Sequence, residues 1–205
     1  MTTTYAGAQA LTMDQFLDVY RELDPDRDRF LALLLLCTGM RIGEALALDV
    51  EQLFNGVGDV RDTLRLRRRR THPRTLRHAL SRGRDIPINT TLRRSAVEVR
   101  PTLWTSPGAL FRSRQGSRLS NRQARRILTV ACRAAGLDRA SSHSFRRTAA
   151  IMMDDGGVPV RVISTILGHA NVAETNTYLQ GVSDRQKRRA TDAIAVPFTS
   201  SAFWR

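Results

Sequence analysis

The chain has 205 residues, enough for one domain with a sizeable core and too few for two full ones. Its 33 basic residues against 19 acidic ones give a net charge of +14. That excess favours a polyanionic partner, with nucleic acid first and an anionic membrane surface second. The longest apolar run, Phe30 to Cys37, is far short of the ~20 residues a membrane span needs, and no leader with a cleavage site opens the chain. Cys37 and Cys132 are far apart in sequence, which argues for free thiols in a reducing compartment and against a disulfide framework or zinc site.

Residues 1–10 are small and polar and read as a flexible lead-in. Thr12 and Gln15 then form a capping-box pattern, and Phe16, Leu17, Tyr20 and Leu23 recur at helical spacing. A core helix is expected from Asp26 to Thr38, ended by Gly39, and "RIGEALAL" restarts a helix with Arg41 at its entry. Beyond Asp49 the period changes. "DTLRLRR" alternates around Leu64 and Leu66, and "RDIPI" supplies a second short strand whose Pro87 marks an edge or an end. The loop between them is long and holds most of "RRRRTHPRTLRHALSRGRDIPI", a stretch with eight arginines and no lysine.

From Asn89 the chain reads helical again. Asn89 caps "TTLRRSAVEVR", Ser120 and Gln123 box "NRQARRILTVACRAA" before Gly136, and "HSFRRTAAIMMDD" stops at Gly156 and Gly157. Pro159 suits the first turn of "PVRVISTILG", and Ser183 and Gln186 cap a last helix before the tail "VPFTSSAFWR". The expected fold class is α+β, mainly α-helical, with a small antiparallel β-hairpin. Residues 11–195 form the working domain and residues 196–205 a C-terminal tail. The tail's Phe198, Phe203 and Trp204 suit docking on a neighbouring protomer or folding back on the chain's own core.

Several residue pairs carry chemistry at these positions. His143 and Arg146 are three apart, on one helical face. Arg41 follows a Gly turn at a helix start, where backbone N–H groups and a bidentate guanidinium together favour an anion. His169 follows a helix-ending Gly, and Tyr178 stands nine residues further on. Each alone is more often an ordinary packing or surface residue. In order, however, "TGMR", "HSFR", "LGH" and "TNTY" resemble the tyrosine recombinase (phage integrase) family, whose pattern is TGxR…HxxR…LGH…Y. The separations of 23 residues from Arg146 to His169 and nine from there to Tyr178 agree with it.

The resemblance implies a DNA strand transferase: a site-specific recombinase or integrase that works through a 3′-phosphotyrosine intermediate without metal, ATP or other cofactor. Tyr178 would attack the phosphorus, Arg41 and Arg146 would hold the non-bridging oxygens, and His169 would add a donor. His143 would accept the tyrosine proton or tune the phosphate by donating, and Glu44 would orient rather than catalyse. The implied partner is double-stranded DNA carrying recombination sites. The implied assembly is a homo-tetramer on DNA formed from free monomers, with accessory DNA-bending or directionality proteins compatible. The implied setting is the bacterial cytoplasm at the nucleoid, with phage origin and viral genome integration as the associated role. A type IB topoisomerase-like enzyme and a non-catalytic DNA-binding regulator are the alternatives.

Two departures from the family stand out. No core-binding or arm-binding segment precedes the catalytic pattern in this sequence, so either a naturally minimal member or a fragment of a longer one is expected. The family's hairpin lysine, eight residues before a proline such as Pro87, is also missing: that count lands on Ala79, and the only lysine is Lys187. Arg77, His78 and Arg82 are the candidate replacements. His78 is the better proton donor by its pKa, whereas an arginine would act by charge. The remaining arginines assigned to DNA grip are Arg67, Arg68, Arg69, Arg70, Arg74, Arg84 and Arg147.

Overall fold

A computed structural model describes residues 9–66, 83–104, 106–169, 171–176 and 178–179. The chain is built around α2 (Arg27–Thr38), whose run from Phe30 to Cys37 leaves no polar face: Phe30, Leu31, Leu34 and Leu35 are all fully buried. A helix that is apolar all round belongs inside, and each such side chain stabilises the fold by roughly 1.5–3 kcal/mol. Gly39 ends the helix with φ 61°, a left-handed conformation glycine adopts without strain, and its N–H bonds the Leu35 carbonyl. Two short helices follow, α3 (Ile42–Ala45) and α4 (Val50–Leu53).

The helix preceding this core, α1 (Met13–Glu22), begins with the expected capping box. The Gln15 N–H donates to Thr12 Oγ1 and the Thr12 N–H to Gln15 Oε1. The strands β1 (Thr63–Leu66) and β2 (Arg84–Pro87) pair antiparallel, with Leu64 opposite Ile86 and Leu66 opposite Arg84. Leu64, Leu66 and Ile86 face the core, as the alternation requires.

Four longer or later helices complete the frame: α5 (Thr90–Leu103), α6 (Asn121–Ala134), α7 (Ser142–Asp155) and α8 (Val160–Leu167). A single turn, α9 (Val172–Asn176), leads to Tyr178. α5 and α7 pack on α2, α6 packs on α1, and α8 lies against α7, β2 and α9. The α+β, mainly helical class expected from sequence is what the structure shows.

Several boundaries differ from expectation. α5 runs on past Arg100 through Pro101, which sits in the last turn where only its own N–H bond is forfeited. α7 begins at Ser142 because Ser141 caps it. Pro159 stands at the N-cap of α8 instead of inside its first turn. The segments that became α4 and α9 carry too few residues for periodicity to reveal them. The expected helix beyond Ser183, the tail and most of the lead-in lie outside the described residues. Both cysteines are free. Cys132 is fully buried, and burial pushes its thiol up to about 11, so it is inert at neutral pH. Among the described residues no helix is long and apolar enough to cross a membrane.

Candidate active site

Arg41 enters the site because Gly39 turns the chain sharply out of α2. A Cβ at that glycine would lie 2.5 Å from Leu167 Cδ2, so the turn also lets α8 close over it. The backbone N–H of Arg41 donates to Glu44 Oε2 at 2.8 Å, which fixes the start of α3. Its side chain is 41% exposed and its guanidinium held only loosely, 3.8 Å from Glu44 and 4.0 Å from Glu174. Pairs this long and this wet contribute little, so the fork remains available to a stronger anion.

Arg146 is the opposite case. It is 2% exposed on the inward face of α7, and its Nη1 donates to the Gly39 carbonyl at 2.7 Å. Its Nη2 is buried with no hydrogen-bond partner among the described residues. Burial pushes its pKa down to about 10 and the nearby Arg41 charge adds to this, while Tyr178 and Glu44 oppose the shift. The group stays cationic at neutral pH. A buried cation is costly unless its donors are met, and beside it stands Tyr178, which also hydrogen-bonds it, with room for an oxyanion acceptor.

His169 follows Gly168, which ends α8 with φ 69°. Its Nδ1 shares a 2.7 Å hydrogen bond with Thr175 Oγ1, a fully buried hydroxyl on α9. That bond fixes the ring plane and leaves Nε2 for a ligand. The Tyr178 ring lies 5.4 Å away, centroid to centroid, and the Tyr178 N–H donates to the Thr175 carbonyl. Thr175 thus anchors both the imidazole and the turn that carries the phenol. Burial lowers the pKa of His169 to about 4, with the charges of Arg146, Arg41 and Arg84 adding to it and Glu44 opposing.

His143 sits in the first turn of α7 and is exposed. Its pKa is lowered by partial burial, then by Arg125, Arg146 and Arg41. Both histidines are therefore neutral at pH 7 and able to accept a proton or donate one N–H.

Not every expected residue is where DNA grip would need it. Arg84 was expected among the arginines that track phosphate, but its side chain is only 6% exposed. It donates from Nη1 and Nη2 to the two oxygens of Glu44, each at 2.9 Å, and from Nε to the Ile166 carbonyl at 2.7 Å. A paired arginine turned into the protein does not reach a DNA backbone, so this assignment is corrected. Glu44 faces both Arg41 and Arg84. Burial alone would raise its pKa, but the Arg84 hydrogen bonds and charge, with Arg41's N–H and charge, bring it below the usual value.

Arg147 is half-buried on α7. Arg67, Arg68, Arg69, Arg70, Arg74, Arg77, His78 and Arg82 lie outside the described residues. Sequence reasoning missed Thr175 and the Gly39 carbonyl. The i,i+3 spacing of Thr175 and Tyr178 was a usable signal for the first; a main-chain acceptor leaves none. Among the described residues no three His, Cys, Asp or Glu side chains stand close enough to hold a metal ion.

The helical frame brings two arginines, two histidines and a tyrosine into one region, and residues 9–184 match the Phage integrase family. The chain belongs to that family. It is 32% identical over 165 residues to tyrosine recombinase XerC of Corynebacterium efficiens, which covers 78% of this chain and 48% of that protein. It is also 32% identical over 164 residues to XerD of Corynebacterium glutamicum, covering 77% and 49%. The chain thus spans about half the length of the curated relatives it matches. In fold it resembles the XerA recombinase crystal structure, with a TM-score of 0.71 at 19% identity, covering 96% of this chain and 67% of that one. It likewise resembles the Tn1549 transposon integrase bound to transposon right-end DNA, with a TM-score of 0.72 at 16% identity, covering 96% and 69%.

Proposed function

We propose that this chain is a site-specific DNA recombinase that cuts and rejoins strands through Tyr178. The observation that carries the reading is the buried Arg146. It lies buried in a site shared with Tyr178, which it contacts, and with His169, as a scissile phosphate between nucleophile and clamp would require. Tyr178 Oη attacks the phosphorus, the bond to the 5′-oxygen breaks, and a 3′-phosphotyrosine forms. Arg41 and Arg146 balance the extra negative charge of the pentacoordinate state, and His169 Nε2 donates to a non-bridging oxygen.

Neutral His143 takes the phenolic proton, and the departing 5′-oxygen takes one from the hairpin, where His78, Arg77 and Arg82 are the candidates. Resealing reverses these steps on a second 5′-hydroxyl, so the phosphodiester energy is retained and neither ATP nor metal enters. Support comes from relatives named as tyrosine recombinases and from a neighbour solved as an integrase on transposon DNA. By the same reading, the working unit is a tetramer on two DNA sites in the bacterial cytoplasm. Arg147 and the hairpin arginines are proposed to hold the backbone.

The test uses a duplex selected by binding enrichment and nicked beside the scissile position, so that cleavage traps the covalent species. Native protein is expected to form a protein–DNA adduct, and Tyr178→Phe to form none. Binding without an adduct in the native protein would leave the non-catalytic regulator as the better reading. Relaxation of supercoiled DNA without strand exchange would identify a type IB topoisomerase-like enzyme.

A further inference from the structure

Arg84 joins three segments at one guanidinium. It lies on β2, grips Glu44 at the start of α3 through both terminal nitrogens, and holds the Ile166 carbonyl in the last turn of α8 through Nε. The carboxylate it grips is the one that receives the Arg41 N–H. The carbonyl it holds lies three residues before His169. Gly168 is what lets the guanidinium come this close: a Cβ there would stand 2.5 Å from Arg84 Nη1 and 2.7 Å from its Cζ.

We infer that Arg84 is a positioning residue for His169: its three-nitrogen fork fixes the α8 C-terminus so that the imidazole meets Thr175 and the reacting phosphate. This role rests on the recombinase reading. Arg84 touches no reacting atom and acts through the turn it clamps. It also belongs to the charged surround of the imidazole, which consists of Arg146 from α7, Arg41 just before α3, Glu44 within α3 and Arg84 from β2, with Tyr178 beyond α9. Arg84 is one of the charges that keep the ring neutral. Lysine would preserve a charge but not the fork, because one ammonium cannot hold a bidentate carboxylate and a carbonyl in a fixed plane.

The experiment has two arms. In the first, the imidazole signals of the full chain are followed by NMR through a pH titration, with His169 assigned by its loss in His169→Gln. The His169 midpoint is expected to rise in Arg84→Met and to rise less in Arg84→Lys, which keeps the charge but loses the fork. An unmoved midpoint in Arg84→Met overturns the proposal. Should Arg84→Met not fold, Glu44→Gln/Arg84→Met removes both charges together. Compared with Glu44→Gln alone, the midpoint in the pair rises if the proposal holds and stays put if it does not.

In the second arm, single-turnover cleavage of the nicked duplex is measured. Arg84→Lys is expected to slow it on the order of 10- to 100-fold, the scale of a misplaced catalytic group, with DNA affinity unchanged. On a His169→Ala background the same substitution is expected to cost less than about threefold, since the pathway it serves is already gone. A loss that persists in full on that background overturns the proposal. If native protein forms no adduct at all, the recombinase reading fails, while the NMR arm still decides whether Arg84 governs the imidazole.

Discussion

His169 makes its site pH-sensitive. The ordinary imidazole value is 6.5, and in the folded chain burial and three arginines bring it to about 4. Above pH 6.5 the ring is neutral in folded and unfolded chains alike, and stability is at its full value. As pH falls through that window, the unfolded chain takes up a proton that the folded chain refuses, so stability drops until about pH 4. Native protein should therefore lose melting temperature between pH 6.5 and 4 more steeply than His169→Gln. His143 is shifted in the same direction, but it is present in both proteins, so the difference between the two curves isolates His169. Equal slopes would show that His169 is solvated like any surface histidine. Site geometry was legible in the sequence only as a set of chemical types. Arg41, His143, Arg146, His169 and Tyr178 were recognisable by order and spacing. What each nitrogen touches was not, because Thr175 and the Gly39 carbonyl reach them through tertiary packing.

At the scale of elements, the C-terminus of α8 is where backbone and side chain constrain one another most tightly. Gly168→Ala forces a left-handed φ on a residue with a Cβ and drives that carbon into the Arg84 guanidinium. Each effect costs about 1–3 kcal/mol, and the Arg84 side chain is pinned at three nitrogens, so it cannot swing aside cheaply. Gly136 is the natural control: its φ is 74°, but nothing lies within 4 Å of the added carbon. In urea denaturation, Gly168→Ala should lose clearly more stability than Gly136→Ala. Matching losses would mean that only backbone strain operates. The elements themselves were largely readable in advance. Thr12, Asn89 and Ser120 announced their helices because a cap is a local device, satisfied within three residues. Arg84 was misread for the opposite reason. Its partners lie 40 and 82 positions away, and an arginine in a basic run looks solvated until the fold supplies a buried carboxylate.

For the molecule as a whole, a net charge of +14 on 205 residues sets the terms of any encounter with DNA. Nearly all of it is arginine, since Lys187 is the only lysine, and arginine keeps its charge at any pH the protein meets. If six to ten phosphates are contacted, affinity should fall by roughly 10³–10⁵ between about 50 and 200 mM salt. Fluorescence anisotropy with a labelled duplex measures that slope directly. A shallow slope would mean that most of this charge faces away from the DNA. Arg84 contributes nothing to the slope, because its charge is already neutralised inside the fold, so Arg84→Lys should leave the salt dependence as it is.

Arg146 is tethered through Nη1 by a main-chain oxygen. No substitution at position 39 can delete that carbonyl; it can only move it. Amino-acid drift around the site thus has one lever on the clamp, the conformation of a single glycine turn. The positive φ of Gly39 and the Leu167 methyl packed against it allow that lever almost no travel. The orientation of the most buried cation in the site is written into the course of the backbone, beyond the direct reach of the side-chain alphabet.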